Sequence, residues 1–167
     1  MKKSLVIAVV LVVLLASAAS ANWKVGILTG TVTQNEEEYR MAEQLQAEFG
    51  PEHIVIATYP DRFMQEQETT ISNMLEMAAD PDVKAIVMVQ AVPGAAAAVD
   101  MVRQFRPDIL IVLGAPQEDP NIVAAKGDIV LNTDDLGRGA QIAEHAYAMG
   151  AEVIVHYSFP RHMSIEL

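Results

Sequence analysis

The sequence predicts an α/β fold, an open parallel sheet flanked by helices. Three observations predict it. Short apolar runs of strand length recur at residues 25–28, 53–57, 85–89, 109–113 and 129–131. Segments between them carry apolar residues three and four apart, the spacing of one helix face. Each run is left through Gly, Pro, Thr, Asn or Asp, residues that end strands and open turns. Strands alternating with helices of this length make βαβ units and a parallel sheet. Its expected order is 2-1-3-4-5, with the first strand inside and right-handed crossovers.

In the first unit, Val25, Ile27 and Leu28 form the buried strand. A loop from Thr29 to Gln34, rich in Gly and hydroxyl residues, follows. Asn35 is the expected N-cap of the first helix, with Glu38 three residues on as in a capping box. Glu36, Glu37 and Glu38 suit the positive end of the helix dipole. Tyr39, Ala42, Leu45 and Phe49 supply an apolar stripe, and Gly50-Pro51 stops the helix. The second strand, residues 53–57, leads through Thr58-Tyr59-Pro60-Asp61 to a helix over 64–79, striped by Ile71, Met74, Leu75 and Ala78. A third strand at 85–89 exits through Gln90–Gly94 into a helix over 95–105, closed by Pro107. A fourth strand at 109–113 is followed by the polar loop 114–120, a short helical turn at 122–126, and a fifth strand at 129–131. Asn132-Thr133-Asp134-Asp135 then opens a helix over 137–149. Gly150 caps it, a sixth strand is expected at 152–156, and 157–167 is a polar, aromatic tail.

Residues 1–21 have the form of a signal peptide. Lys2 and Lys3 are the positive start, residues 5–15 the apolar core, and Ala19-Ser20-Ala21 an A-x-A cleavage site that would make Asn22 the first mature residue. The apolar core is short for a membrane span. With no Cys in the chain there is no disulfide, thiolate metal site or lipid-bearing Cys. The formal net charge is −11, and loss of the two positive charges Lys2 and Lys3 leaves −13. Such a balance argues against nucleic acid and anionic membrane as partners.

Thr29, Thr31, Tyr59, Gln90, Asp134 and Asp135 stand at strand exits, which in a parallel sheet share one edge. They are neutral polar or acidic, without a nucleophile beside a base, and this suits binding through hydrogen bonds rather than catalysis. Taken singly, each also fits a turn residue. Gly137-Arg138-Gly139 lacks the third small position of a dinucleotide fingerprint, because Ile142 stands there. Past the sixth strand, Arg161 offers a bidentate grip on a carboxylate or phosphate, and His162 a group titrating near neutrality. The remaining histidines show no metal spacing. No metal or cofactor is expected.

The order of elements resembles a type I periplasmic binding protein: K-V-G-I in the first strand, βα units, then Asn132-Thr133-Asp134-Asp135 before a Gly-started helix. More closely, TGTVTQNEEEYR, TYPDRFMQEQETTI, DPDVKAIVMVQAVPG and HYSFPRHMS resemble an uncharacterised bacterial family of that fold, a domain of unknown function. The resemblance covers the whole mature chain. It implies residues 22–134 as one Rossmann-like lobe and 135–167 as the crossover and start of a second lobe, truncated after its first strand. It implies an extracytoplasmic solute-binding module for an unidentified small molecule, with a membrane transporter or receptor as partner. The ligand residues it points to are Thr29, Thr31, Tyr59, Gln90, Asp134, Arg161 and His162. The competing expectation is a flavodoxin-like FMN protein or enzyme, using the loop from Thr29 to Asn35 for phosphate and Tyr59 beside the flavin. With the second lobe missing, the strand at 152–156 is expected either to be the weakest part of the chain or to add to the sheet beside residues 129–131.

Overall fold

A computed structural model describes residues 22–157, so the expected signal segment 1–21 and the tail residues Arg161 and His162 lie outside the described residues. The chain divides into a first unit through Leu131 and a second from Asn132.

In the first unit five parallel strands form one sheet in the expected order β2-β1-β3-β4-β5. These are β1 (Lys24–Thr29), β2 (Ile54–Thr58), β3 (Val83–Met88), β4 (Leu110–Gly114) and β5 (Ile129–Leu131). β1 is held on both sides, with Ile27 level with Ile56 on β2 and Val87 on β3. The helices are α1 (Val32–Phe49), α2 (Gln67–Ala79), α3 (Ala95–Phe105) and the short α4 (Pro120–Ala124). The architecture is that of a Rossmann-like lobe.

The core is lopsided. Side chains alternate across a strand, so Leu28, Ile86, Ile111 and Leu113 face α2 and α3 and join the large cluster with Met74, Met77, Val99 and Val102. Gly26 permits this closeness, since a Cβ there would press on the Met77 sulfur. The opposite face is covered by α1 over a cluster of Ile27, Ala42 and Ile54, edged by Val25, Ile56 and Val89. Further along that face Leu110, Ile129 and Leu131 are exposed.

Three expectations in this unit are corrected. The loop after β1 is shorter than the sequence suggests, because Thr29 is the last strand residue and α1 begins at Val32 with Thr31 as N-cap. Asn35 breaks that helix with φ −154° and ψ 86°. It still caps the part that follows, its Oδ1 accepting from the Glu38 N–H at 3.4 Å. The reciprocal half of the capping box is missing because the Asn35 N–H already donates to the Thr31 carbonyl at 2.9 Å. The expected stripe on α1 buries only Ala42, and Leu45 and Phe49 remain exposed.

In the second unit α5 (Asp135–Ala148) is the expected helix, begun two residues earlier, and none of its residues is buried. Gly150, at φ 85°, takes the left-handed conformation that lets the chain leave a helix. The sixth strand is not formed: residues 152–156 carry no strand, and Val155 is 88% exposed. Strand propensity in so short a run needs a paired neighbour to offset its ordering, and among the described residues the sheet ends at β5.

Candidate functional site

In the order 2-1-3-4-5 the sheet grows to one side from β1 to β2 and to the other from β3 onward, and ligands of open α/β sheets sit outside the strand carboxyl ends at such a switch point. Here the exits of β1 and β3 deliver Thr29, Gly30, Thr31 and Gln90 to that place.

Thr29 is fully buried, and its Oγ1 is shielded with no hydrogen-bond partner among the described residues. The Thr31 hydroxyl donates to Asp61 Oδ1, from the loop after β2. Gln34, on the first turn of α1, reaches the same loop, its Nε2 donating to the Asp61 carbonyl at 2.6 Å and the Pro60 carbonyl at 3.3 Å. Its Oε1 is left shielded and unpartnered. Gln90 Nε2 donates to Glu38 Oε1 at 2.7 Å, and Gln90 Oε1 accepts from Gln117 Nε2 at 2.7 Å. A chain of amides and a carboxylate thus ties the exits of β1, β3 and β4 together. The β4 exit is pinned from below, where the Glu118 carboxylate accepts from the Gly94 and Ala96 N–H groups at 3.0 and 2.9 Å and caps α3 from another loop.

Of the sequence-predicted residues, Thr29, Thr31 and Gln90 meet at this edge. Tyr59 reaches it by its backbone, its N–H donating to the Thr29 carbonyl at 3.0 Å. Its ring is buried edge-on against Phe63, with centroids 5.7 Å apart, and has no face free to stack on a flavin. Asp134 lies in the second unit, where its Oδ1 accepts from the Gly137 N–H at 2.9 Å and caps α5. Gln34, Glu38, Asp61 and Gln117 were missed. The signal was present for Gln34, Asp61 and Gln117, polar residues in strand-exit loops. Glu38 was absorbed as a capping residue.

Asp61 beside Thr31 places a carboxylate at the loop, so the loop is poorly matched to phosphate. Among the described residues no three His, Cys, Asp or Glu side chains gather as a metal site. Two hollows among the described residues of the first unit are lined by other residues than Thr29, Thr31, Tyr59 and Gln90. The one of about 410 Å³ runs along β2 and α2, and the one of about 330 Å³ lies between α1 and the sheet. The groups with shifted pKa values lie elsewhere in this unit. Lys24 Nζ, 2.6 Å from Asp80 Oδ2, holds that carboxyl below its usual range. The Ile111 N–H, with Arg103 beside it, does the same for Asp128.

A family model described as "Protein of unknown function (DUF3798)" matches residues 23–167. Two relatives from Treponema pallidum (strain Nichols), each described as "Uncharacterized protein", are similar in sequence. One is 34% identical over 152 residues, 87% of this chain and 69% of its own length. The other is 44% identical over 91 residues, 54% of this chain and 42% of its own length. In structure the chain is similar to a crystal structure described as a "Putative transcriptional regulator" from Clostridium difficile 630, with a TM-score of 0.71 and 26% identity. That match covers 82% of this chain and 41% of the neighbour, so the chain spans less than half of the protein whose fold it shares.

Proposed function

The chain belongs to the DUF3798 family of proteins of unknown function, and from that premise we propose that it is one lobe of an extracytoplasmic solute-binding protein of the type I periplasmic kind. The lobe presents a small polar molecule with the carboxyl ends of β1 and β3 and does no chemistry on it. The observation that carries this is that Thr31 and Gln34 after β1, Gln90 after β3 and Gln117 after β4 stand at the carboxyl ends of neighbouring strands, the first two tied to Asp61 and Gln90 tied to Glu38 and Gln117. Amides and hydroxyls positioned by neighbouring carboxylates suit recognition by hydrogen bonds. In a two-lobed protein, closure about a hinge brings the second lobe over such an edge, and this is in keeping with a chain that spans 41% of its structural neighbour. Export rests on Lys2-Lys3, the apolar core and Ala19-Ser20-Ala21. A transporter or receptor in the membrane is the natural partner for a solute carrier of this kind.

A second reading, the effector-binding part of a transcriptional regulator, is favoured by the description of the structural neighbour. Against it stands the export pattern at the N-terminus.

A two-part experiment tests the proposal. The protein is recovered from its native host by fraction, and its N-terminus is sequenced. The purified protein is then screened by thermal shift against amino acids, sugars, polyols and nucleosides. The proposal expects Asn22 as first residue in the extracytoplasmic fraction, and saturable stabilisation by one solute class that is lost in Gln90→Ala. A retained Met1 in the cytoplasmic fraction would contradict the proposal and favour the regulator reading instead.

A further inference from the structure

β2 is an edge of the sheet among the described residues, and its outer side is only partly sealed. In a parallel pair, alternate residues of a strand bond to a given neighbour. The Val25 N–H donates to the His53 carbonyl and the Tyr59 N–H to the Thr29 carbonyl, so the odd-numbered residues of β2 face β1. Ile54, Ile56 and Thr58 therefore turn their N–H and C=O groups outward. The two ends of this row are taken. The Ile54 N–H donates to the Gly50 carbonyl at 3.0 Å, and the Ile54 carbonyl accepts from Gln46 Nε2 at 2.8 Å. The Thr58 carbonyl accepts from Asn73 Nδ2 at 2.8 Å. Between them, the Ile56 N–H and C=O and the Thr58 N–H have no hydrogen-bond partner among the described residues. Beside this gap lies the hollow of about 410 Å³. Val55 and Ala57 line it from β2, and Asn73, Glu76, Met77 and Asp80, which share one helix face, line it from α2. Lys24 occupies Asp80 at 2.6 Å, whereas the exposed Glu76 has no partner among the described residues.

We propose that this stretch of edge receives a short extended polypeptide segment that carries a basic side chain. A peptide added to a sheet edge gains affinity from main-chain hydrogen bonds and specificity from pockets for alternate side chains. Ile56 and Thr58 supply the first, and the hollow beside them supplies the second. A lysine or arginine entering the hollow lays its stem along Val55, Ala57 and Met77 and brings its charge to Glu76. A second copy of this chain is a poorer occupant. Two β2 strands crossing on a two-fold at Ile56 would pair Ile54 with Thr58, whose carbonyls Gln46 and Asn73 already hold. Both copies would also carry the net charge of −11. None of the residues lining the hollow belongs to the polar set at the strand exits, and the proposal does not rest on the function proposed above.

Amide hydrogen exchange and fluorescence anisotropy test the proposal on the full chain at physiological ionic strength. Without peptide, the Ile56 and Thr58 amides should exchange fast and those of Val55 and Ala57 slowly. The probes are a dye-labelled short peptide of alternating valine and lysine, its twin with glutamate for lysine, and two N-methylated forms of the lysine peptide. One form is methylated at the lysines and the other at the valines. The lysine peptide should bind saturably and slow exchange at Ile56 and Thr58, and the glutamate twin should bind more weakly. An added strand turns only alternate N–H groups to the edge, so one N-methylated form should lose binding and the other keep it. Glu76→Gln should lower affinity for the lysine peptide about two- to fivefold, the worth of an exposed ion pair. Glu68→Gln, an exposed acid of α2 outside the hollow, should leave it unchanged. Absent or equal binding of the lysine and glutamate peptides overturns the proposal whether or not a variant folds. So does equal binding of the two N-methylated forms, or binding that leaves exchange at Ile56 and Thr58 unaltered. Slow exchange at those amides before peptide is added also overturns it, assigning the edge to a second copy if it follows protein concentration and to another segment of this chain if it does not.

Discussion

Glu118→Ala removes the carboxylate that caps α3 from the loop after β4. Gly94 and Ala96 donate to its two oxygens at 3.0 and 2.9 Å, and no side chain at the Gly94 N-cap position makes those bonds. Hydrogen bonds to a charged group contribute roughly 1.5–3 kcal/mol each, and the helix dipole adds about 0.3–1 kcal/mol. Glu118 is half-buried, so water replaces part of what the mutation removes. The expected net loss is about 2–3 kcal/mol. Urea unfolding followed by far-UV circular dichroism should show an unchanged slope and a midpoint lower by about 1–2 M, given a slope of roughly 1–3 kcal/mol/M. Glu118→Gln keeps one acceptor and loses the charge, and should fall between the two. Because Glu118 also anchors the loop carrying Gln117, solute affinity should fall with stability. A loss below about 0.5 kcal/mol in Glu118→Ala would refute the cross-loop cap.

Arg106 donates to the carbonyls of Ala78, Asp80 and Val83 at 2.8–2.9 Å, and Arg106→Met should cost about 2–4 kcal/mol in the same assay. Gly114→Ala should destabilise by about 1–3 kcal/mol, since a Cβ there overlaps the Val89 carbonyl oxygen. Gly139→Ala meets open space inside α5 and should raise helicity, with a gain of about 0.5–1 kcal/mol measured by circular dichroism and hydrogen exchange of that helix. Asp128 and Asp80 titrate below the ordinary value of 3.8 in the folded chain, the first because the Ile111 N–H favours its ionised form, the second because Lys24 does. Their contribution is therefore complete above the unfolded value and is lost as pH falls through the folded one. Urea midpoints should hold from pH 7 to about 5 and drop below about 4, with a shallower acid limb in Asp128→Asn.

The sheet order was legible because five apolar runs alternate with helical stripes, and short parallel crossovers leave few topologies open. Boundaries such as α3 and β5 agree to the residue, where Gly94 and Pro107 bracket one and Asn132 follows the other. The capping box at Asn35 was half legible. Sequence gives the acceptor, but the Asn35 N–H goes to a backbone carbonyl that only the turn at Thr31 brings near. The sixth strand shows the limit of local pattern. Val153, Ile154 and Val155 read as a strand, yet a strand is a pairing, and the partner is not in the run itself. At the candidate site the strand-exit rule found Thr29, Thr31 and Gln90. Tyr59 also stands at an exit, but its ring is buried against Phe63 in the core, a packing that the exit rule does not foresee. Glu38 was read for its role along the helix, and its pairing 52 residues away with Gln90 is a tertiary fact.

The central claim is that the exits of β1 and β3 hold a small polar solute. The most direct measurement is amide chemical-shift mapping of the full, ¹⁵N-labelled chain as the solute picked out by the thermal-shift screen is titrated in. Shifts centred on residues 30–34, 59–61, 90–91 and 117–118 are the predicted result. Shifts centred on the opposite ends of the strands, at Lys24, His53 and Val83, would contradict it, as would a screen in which no amino acid, sugar, polyol or nucleoside moves any of those amides.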